Sequence, residues 1–132
     1  MDRKLQGKIR RLAEVYDARR FEVLFTPRLV FAETAEHFRK PPAGLAFRPY
    51  TPGTPWGRRW GSAWFTATVR LPAAARGRRL LARLPSAEGM NAFGGKEYLL
   101  FLDGEPRSVL CYLHREAMLR PRARGGETLR LA

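Results

Sequence analysis

The sequence predicts a mainly β fold, a β-sandwich preceded by an amphipathic helix, and three observations support this. All three tryptophans lie within residues 56–64, and an alternating apolar and polar run follows them until Pro72, as is typical of a half-buried strand. Asp103-Gly104 favours a tight hairpin turn. Near the N-terminus, apolar residues recur at helical spacing instead.

The N-terminal residues predict one amphipathic helix over about residues 3–19, and residues 1–20 are interpreted as a helical arm. Its apolar stripe, spaced by four, three and four residues, consists of Leu5, Ile9, Leu12 and Tyr16. We expect this stripe to dock on the chain's own domain. A basic amphipathic helix can also lie on a membrane, but acidic residues lie among the basic ones here, so we expect no membrane partner.

Residues 21–62 are interpreted as a connection that packs on the sheet. Alternation in residues 21–40 is interrupted by Pro27, which predicts an irregular segment that packs aromatic side chains. Residues 41–61 are rich in proline and glycine, which predicts an extended loop with many turns. Its aromatic residues are too many for a solvated linker, so we expect the loop to lie against the sheet.

Residues 63–132 are interpreted as the β-sandwich, truncated at its C-terminal end. Five strands are predicted, at residues 63–71, 79–84, 98–102, 109–113 and 128–131, with a loop at 85–97. The fifth strand reaches the end of the chain and would leave an unpaired edge. We therefore expect an incomplete domain, with self-association through this strand or through the helix.

Charge and composition bound the function classes. The net charge of +13 and the pI of about 11.3 suggest a nucleic-acid or anionic-surface partner. The arginines are spread along the chain, however, and their excess over lysine is typical of a GC-rich coding sequence, which argues against nucleic acid. The chain has no long apolar run and no secretory signal, and its single cysteine, Cys111, fits a reducing, cytoplasmic location.

The sequence offers no catalytic motif, so we predict no catalytic residue, metal ligand or cofactor in this chain. Cys111 lies in an apolar run and predicts a buried, inert thiol. For His114 a hydrogen-bonded structural role is favoured over a sugar contact. Nothing supports Glu88 and Glu97 as a glycosidase carboxylate pair.

The tryptophans have two possible roles, as core residues or as carbohydrate-stacking residues. Trp64 beside Phe65 begins a strand and is expected in the core or under the loop. Trp56 and Trp60 lie next to glycines in the loop, so we expect them to be an exposed pair and the candidate carbohydrate-binding residues.

The order of these motifs resembles the N-terminal, non-catalytic domain of glycoside hydrolase family 38 α-mannosidases, in the bacterial and vacuolar-cytosolic branch. After the helix come Trp56-Gly57, Trp64-Phe65, Leu71-Pro72, Arg76-Gly77-Arg78, Asp103-Gly104-Glu105-Pro106, His114-Arg115-Glu116 and Gly126-Glu127. One departure is Cys111-Tyr112-Leu113, where the family usually has an aspartate and an asparagine. The motifs cover nearly the whole chain, with structural roles for Trp64, Phe65, Pro72, Asp103, Gly104, His114 and Glu116.

The resemblance implies a galactose-binding-like, jelly-roll β-sandwich. It also implies that the zinc ligands and the aspartate nucleophile of the enzyme lie in a later domain, absent from this chain. The full-length enzyme would hydrolyse terminal α-mannosides with retention, whereas this chain would pack on the catalytic domain, assemble a homo-oligomer or contact carbohydrate. A stand-alone carbohydrate-binding module is the alternative, and a basic nucleic-acid-binding protein is the second alternative.

Overall fold

A computed structural model describes residues 2–84, 97–111 and 113–132. These ranges contain one α-helix, eight β-strands and one 3-10 turn at Ala73–Ala75. The elements are α1 (Arg3–Arg20), β1 (Val30–Thr34), β2 (Arg48–Pro49), β3 (Ser62–Arg70), β4 (Leu80–Arg83), β5 (Tyr98–Leu102), β6 (Glu105–Leu110), β7 (Glu116–Arg120) and β8 (Thr128–Leu131). The predicted mainly β fold with one N-terminal helix is confirmed.

The strands form two antiparallel sheets around a shared core. The larger sheet has six strands in the order β2-β1-β3-β8-β5-β6, and the smaller pairs β4 with β7. Both sheets contribute buried side chains to one cluster: Ala67, Val69, Leu71, Ala75, Leu80, Leu102, Leu119, Ala123 and Leu129. Burying this apolar surface between two sheets is what makes the sandwich stable.

The third strand shows why this sequence forms a half-buried strand. Ala67 and Val69 are buried, whereas the alternate residues Thr68 and Arg70 are exposed. This alternation follows from the two-residue period of a strand, with one face on the core and one in solvent. The strand ends before Pro72, as predicted.

The last strand does not form the expected edge. β8 lies between β3 and β5, with Val69 opposite Leu129 and Leu102 opposite Leu131. The N–H of Phe101 also donates to the carbonyl of Ala132 at 2.8 Å. The predicted unpaired edge is therefore wrong, and self-association through this strand loses its basis. Consecutive strands need not be neighbours in a sheet, and no local pattern shows such an insertion.

Residues 21–40, expected to be irregular, contain a strand of the large sheet. β1 pairs with β3 along its whole length, and Phe31 and Ala32 are buried. Pro27 precedes this strand and so does not interrupt it. β2 pairs with β1 in turn, so Arg48 and Pro49 of the proline-rich loop lie at the edge of the sheet.

The hairpin between β5 and β6 has the predicted turn. Asp103 has φ 54° and Gly104 has φ 89°, the positive values that a type I′ turn requires. β6 begins at Glu105 instead of residue 109, and includes Pro106. Proline is tolerated there because β6 is at the edge of the sheet.

The β7 strand was not predicted. Ala117 and Leu119 of β7 are buried and pack on the core, and the strand pairs with β4. The predicted β4 is confirmed at Leu80–Arg83. Most of the loop predicted at 85–97 lies outside the described residues.

The helix is confirmed, but its predicted docking on the domain is wrong. The Asp2 side chain caps α1 by accepting the N–H of Lys4 at 3.0 Å. No residue of α1 is buried, and Leu12 is 60% exposed. The amphipathic pattern therefore predicts the helix correctly, but it does not show which surface packs on its apolar side.

Leu129→Ala tests the central position of β8. Leu129 is 1% exposed, so we expect the variant to lose about 2–5 kcal/mol of unfolding free energy in urea titrations, because truncation leaves a cavity. Leu113→Ala is the control, since Leu113 is 79% exposed and should change stability by no more than about 0.5 kcal/mol. Equal losses in both variants would contradict the placement of β8.

Candidate functional site

An aromatic cluster holds the proline-rich loop on the sheet. Phe65 of β3 lies at its centre, with ring centroids 5.1 Å from Tyr50, 5.7 Å from Phe31 and 4.9 Å from Trp56. Trp56 also packs on Tyr98 of β5 at 5.8 Å. Edge-on and offset ring pairs of this kind are favourable geometries, so the aromatic cluster fixes the course of the loop.

Trp56 is half-buried in this cluster and is not one of an exposed pair. It meets both Phe65 and Tyr98 at steep angles, 69° and 62° between ring planes. The expectation that Trp56 and Trp60 are both exposed therefore holds for Trp60 only.

Burial raises the pKa of the Tyr98 phenol, and the neighbouring Tyr50 adds to this effect.

Trp60 lies in a strained turn at the end of the loop, two residues before β3 begins, and is 83% exposed. The N–H of Gly61 donates to the carbonyl of Arg58 at 3.0 Å, which closes a four-residue turn with Trp60 in the third position. Trp60 has φ 62°, whereas type II turns favour glycine or asparagine at this position. A left-handed backbone costs a residue with a Cβ atom about 1–2 kcal/mol.

Both ends of the turn segment are held against β1. The N–H of Gly57 donates to Oε1 of Glu33 at 3.0 Å. At the other end, a Cβ added to Gly61 would lie 3.3 Å from the carbonyl oxygen of Thr34, so backbone approaches backbone closely there. The position of the Trp60 turn is thus set by β1.

A pocket of about 200 Å³ lies between this turn and the end of β1. Its lining residues are Glu33, Thr34, Ala35, Arg58, Arg59, Gly61 and Ser62. Arg59 and Gly61, the chain neighbours of Trp60, are among them, although Trp60 itself is not. The pocket offers one carboxylate, two guanidinium groups and two hydroxyls, which together both donate and accept hydrogen bonds.

The residues predicted to be structural occupy structural positions in the strand region. Trp64 is half-buried, with its ring 5.7 Å from Phe101 in the core. Phe65 is the centre of the aromatic cluster. Pro72 caps the 3-10 turn that follows β3.

An ionic network connects the β5–β6 turn with β7 and β8. Arg120 donates to Asp103 at 3.2 Å and to Glu127 at 3.1 Å. Asp103 also accepts the N–H of Arg130 at 3.0 Å, and Glu127 accepts the N–H of Arg124 at 2.8 Å. The sequence motifs include Asp103 and the Gly126-Glu127 turn but not Arg120. Arg120 ends β7 and lies beside these two acidic turns, and this position was the available signal for its role.

The network stabilises the charged form of both carboxylates. The N–H of Arg130 and then the Arg120 guanidinium hold the pKa of Asp103 below its usual range, against the opposite effect of burial. The N–H of Arg124 and then Arg120 do the same for the pKa of Glu127. These carboxylates therefore act as structural anions.

His114 and Cys111 close the connection between β6 and β7 through their backbones. The N–H of Cys111 donates to the carbonyl of His114 at 2.9 Å, and that of His114 to Cys111 at 3.2 Å. Both bonds involve the backbone of His114, and its side chain is exposed, so the hydrogen-bonded role of the side chain stays a prediction. Cys111 is only partly buried, so the expected fully buried thiol is wrong. Glu116 pairs with Arg83 of β4 at 3.1 Å.

The described part of the chain contains no group of three or more histidine, cysteine, aspartate or glutamate side chains able to hold a metal ion. Of the carboxylate pair considered above, Glu97 is exposed and Glu88 lies outside the described residues. In the same ranges, no helix has the length and apolar character needed to cross a bilayer.

Contacts of α1 with the sandwich come from its polar side. Asp17 lies 3.5 Å from Arg83 of β4, and the Arg83 guanidinium lies 4.4 Å from the ring centre of Phe21, just after the helix. At 100° per residue, Asp17 lies about 110° from the centre of the stripe formed by Leu5, Ile9, Leu12 and Tyr16. The stripe, which we call the α1 stripe, is consequently exposed.

These features define a β-sandwich domain with a helical arm and an exposed aromatic loop, and without an evident catalytic centre in the described residues. A family model described as "Alpha-mannosidase, jelly roll domain" matches residues 26–132. The chain belongs to this family. α1 precedes the matched residues. No curated protein and no solved structure matches the chain.

Replacing Trp60 tests the strain in its turn. We expect Trp60→Gly to be more stable than Trp60→Ala by about 0.5–1 kcal/mol in urea unfolding, because glycine adopts positive φ without a Cβ penalty. Since the side chain is 83% exposed, neither variant loses much packing. An alanine variant as stable as the glycine variant would show that the turn is unstrained.

The depressed pKa values of Asp103 and Glu127 predict acid sensitivity. The folded state binds these protons more weakly than the unfolded state, so their contribution is present above the unfolded pKa values, near 4, and is lost as pH falls through the folded ones. We expect Asp103→Asn with Glu127→Gln to flatten the decline of unfolding free energy below about pH 4. Parallel declines in the wild type and the double variant would contradict this linkage.

Proposed function

We propose that this chain is the N-terminal, non-catalytic region of an α-mannosidase that hydrolyses terminal α-mannosides. The family match over residues 26–132 carries this proposal. In such an enzyme, zinc and a carboxylate nucleophile would supply the chemistry from another domain. The described residues of this chain include no group of three or more histidine, cysteine, aspartate or glutamate side chains that could hold the zinc.

The coding sequence beyond codon 132 tests this role first. An open frame that continues into a domain with zinc-spaced histidines and aspartates supports the proposal. A stop codon without such a domain in the same gene would contradict it and would favour a stand-alone carbohydrate-binding module.

We place the attachment to the rest of the enzyme at the α1 stripe. Its members are half exposed or more, from 50% for Leu5 to 69% for Tyr16. A continuous apolar stripe on a helix is stable in water when a partner covers it, so its exposure in this chain indicates an interaction surface.

The charges beside the stripe indicate what kind of partner fits. Lys8, Arg19 and Arg20 lie within about 70° of its centre, at 100° per residue, whereas Glu14 and Asp17 lie more than about 100° away. Two copies packed stripe to stripe would bring cations against cations, which is unfavourable. The complementary partner is an apolar groove bordered by aspartate and glutamate, which we place on the catalytic part of the same enzyme. Homo-oligomer assembly through α1 is the competing arrangement.

We place the enzyme in the cytoplasm. Cys111 is the single cysteine of this sequence, so no disulfide can form within it. Structural disulfides are rare in reducing compartments, which supports this location.

Carbohydrate contact is a second candidate role, and the 83% exposure of Trp60 favours it. Exposed tryptophan faces stack on sugar rings, and the polar pocket beside this residue supplies hydrogen-bonding groups. Trp56 is expected to contribute by positioning the loop, because it packs in the aromatic cluster.

A nucleic-acid partner has weaker support. Arg76, Arg122 and Arg124 line a groove of about 510 Å³ without any acidic lining residue. Three guanidinium groups fall short of the roughly 6–10 phosphate contacts that produce steeply salt-dependent DNA binding. Nucleic-acid binding is therefore less favoured than the α-mannosidase role and carbohydrate contact.

Charge insertion in the α1 stripe tests the attachment. We expect Leu12→Glu to weaken binding of the chain to the remainder of its enzyme, supplied as a separate polypeptide, by about 10–100-fold, because a buried leucine contributes about 1.5–3 kcal/mol. Binding can be followed by calorimetry. Ala18→Glu is the matched control, since this exposed position lies about 150° from the stripe centre and should leave binding unchanged.

Analytical ultracentrifugation of the chain alone separates the two arrangements. We expect a monomer, because the stripe is bordered by cations. A wild-type dimer that Leu12→Glu converts to monomer would contradict the acid-bordered partner and would establish self-association through α1.

A further inference from the structure

We propose that Trp60 and the adjoining pocket form a binding site for a single neutral pyranose ring. The sugar ring would stack on the exposed indole, while its hydroxyls would bond to the pocket residues. Mannose is the expected pyranose, and this choice alone rests on the proposed function. The exposure and backbone strain of Trp60, together with the polar pocket beside it, support the site independently.

Exposing Trp60 to solvent has an energetic cost. Trp60 is 83% exposed, although burying the large apolar surface of a tryptophan would stabilise the fold. Its backbone is held at φ 62°, where glycine would be unstrained. Strained residues held by their surroundings occur mostly at functional sites, so strain and exposure at one tryptophan together indicate a ligand for its ring.

The Trp60 turn is held in place by β1. Glu33 fixes one end through the N–H of Gly57, and the close approach of Gly61 to Thr34 fixes the other. Both anchors belong to β1, which pairs with β3 along five residue pairs. A site on such a support loses little conformational entropy when it binds.

The pocket retains hydrogen-bonding capacity for a ligand. Oε1 of Glu33 accepts one N–H and Oε2 lies 3.8 Å from Arg48, so lone pairs remain for sugar hydroxyls. Thr34 Oγ1 accepts the N–H of Glu36 at 3.0 Å, and its hydroxyl hydrogen remains to donate. Arg58 and Arg59 add only donors. Neighbouring hydroxyls of a sugar, each both donor and acceptor, match this mixture.

The volume of the pocket and the hydrogen-bonding groups of its lining restrict the class of ligand that fits. The volume of about 200 Å³ is below the roughly 300–1,000 Å³ of pockets for drug-sized ligands, so it suits one ring with the rest of a glycan in solvent. Arg58 and Arg59 outnumber Glu33 among the charged lining residues, so charge alone does not exclude an anion. A phosphate group could use only the hydrogen-bond donors of the lining, whereas sugar hydroxyls can also donate to Glu33, so the site fits a neutral pyranose better than a sugar phosphate.

Methyl α-D-mannopyranoside is the probe, and two-dimensional ¹H–¹⁵N NMR of the whole chain is the measurement. We expect the Trp60 indole N–H and the amides of residues 33–34 and 57–62 to shift with millimolar affinity. Trp60→Gly should weaken binding at least about tenfold while the melting temperature stays the same or rises. Glu33→Gln should weaken it less, because the amide oxygen can still accept from Gly57.

Controls separate stacking from general polyol binding. Phe25→Ala removes an aromatic residue that is also exposed, and should leave the titration unchanged. Mannitol has the hydroxyls but no ring face, so it should not shift the Trp60 indole signal.

Three outcomes are decisive. Saturable shifts centred on Trp60 establish the site. Shifts elsewhere, or none at Trp60 with any pyranoside, overturn it and leave the α-mannosidase assignment, which depends on the gene and on α1, untouched. Shifts at Trp60 with galactosides but not with mannosides support a pyranose site and contradict mannose as its ligand.

Discussion

The insertion of β8 between β3 and β5 is the constraint on which the rest of the structure depends. Leu129 of this strand is 1% exposed and faces Val69 across the pairing with β3. Without β8, the β1–β3 half and the β5–β6 half of the large sheet would have no hydrogen bonds between them. The Asp103–Arg120–Glu127 network lies beside the same strand and connects it to both sheets. The sandwich therefore forms from distant segments and is expected to fold as one cooperative unit.

The candidate sugar site depends on this arrangement through a short series of contacts. β8 holds β3, β3 presents Phe65, and Phe65 packs on Trp56 of the loop. β3 also pairs with β1, whose Glu33 holds the start of the Trp60 turn. A loop rich in proline and glycine is in this way given a defined shape by rings and backbone hydrogen bonds.

Local patterns in the sequence predicted what is locally determined. The helix, β3, β5 and the Asp103-Gly104 turn follow from spacing and turn chemistry. The position of β8 and the strands β1 and β7 depend on pairing between distant segments, which spacing does not contain. Trp56 and Trp60 are both next to glycine, and contacts with Phe65 and the distant Tyr98 distinguish the packed tryptophan from the exposed one.

The two candidate surfaces differ in how firmly the sandwich holds them, and this difference bears on their roles. The Trp60 turn is fixed by backbone contacts with β1. α1 contacts the sandwich through an ion pair between partly exposed side chains, 58% for Asp17 and 31% for Arg83, and such pairs contribute about 0–1 kcal/mol. So weak a contact leaves the direction of the helix to whatever covers its apolar stripe. A fixed site suits selection of a small ligand, whereas an arm that reorients at little cost suits attachment to a large partner.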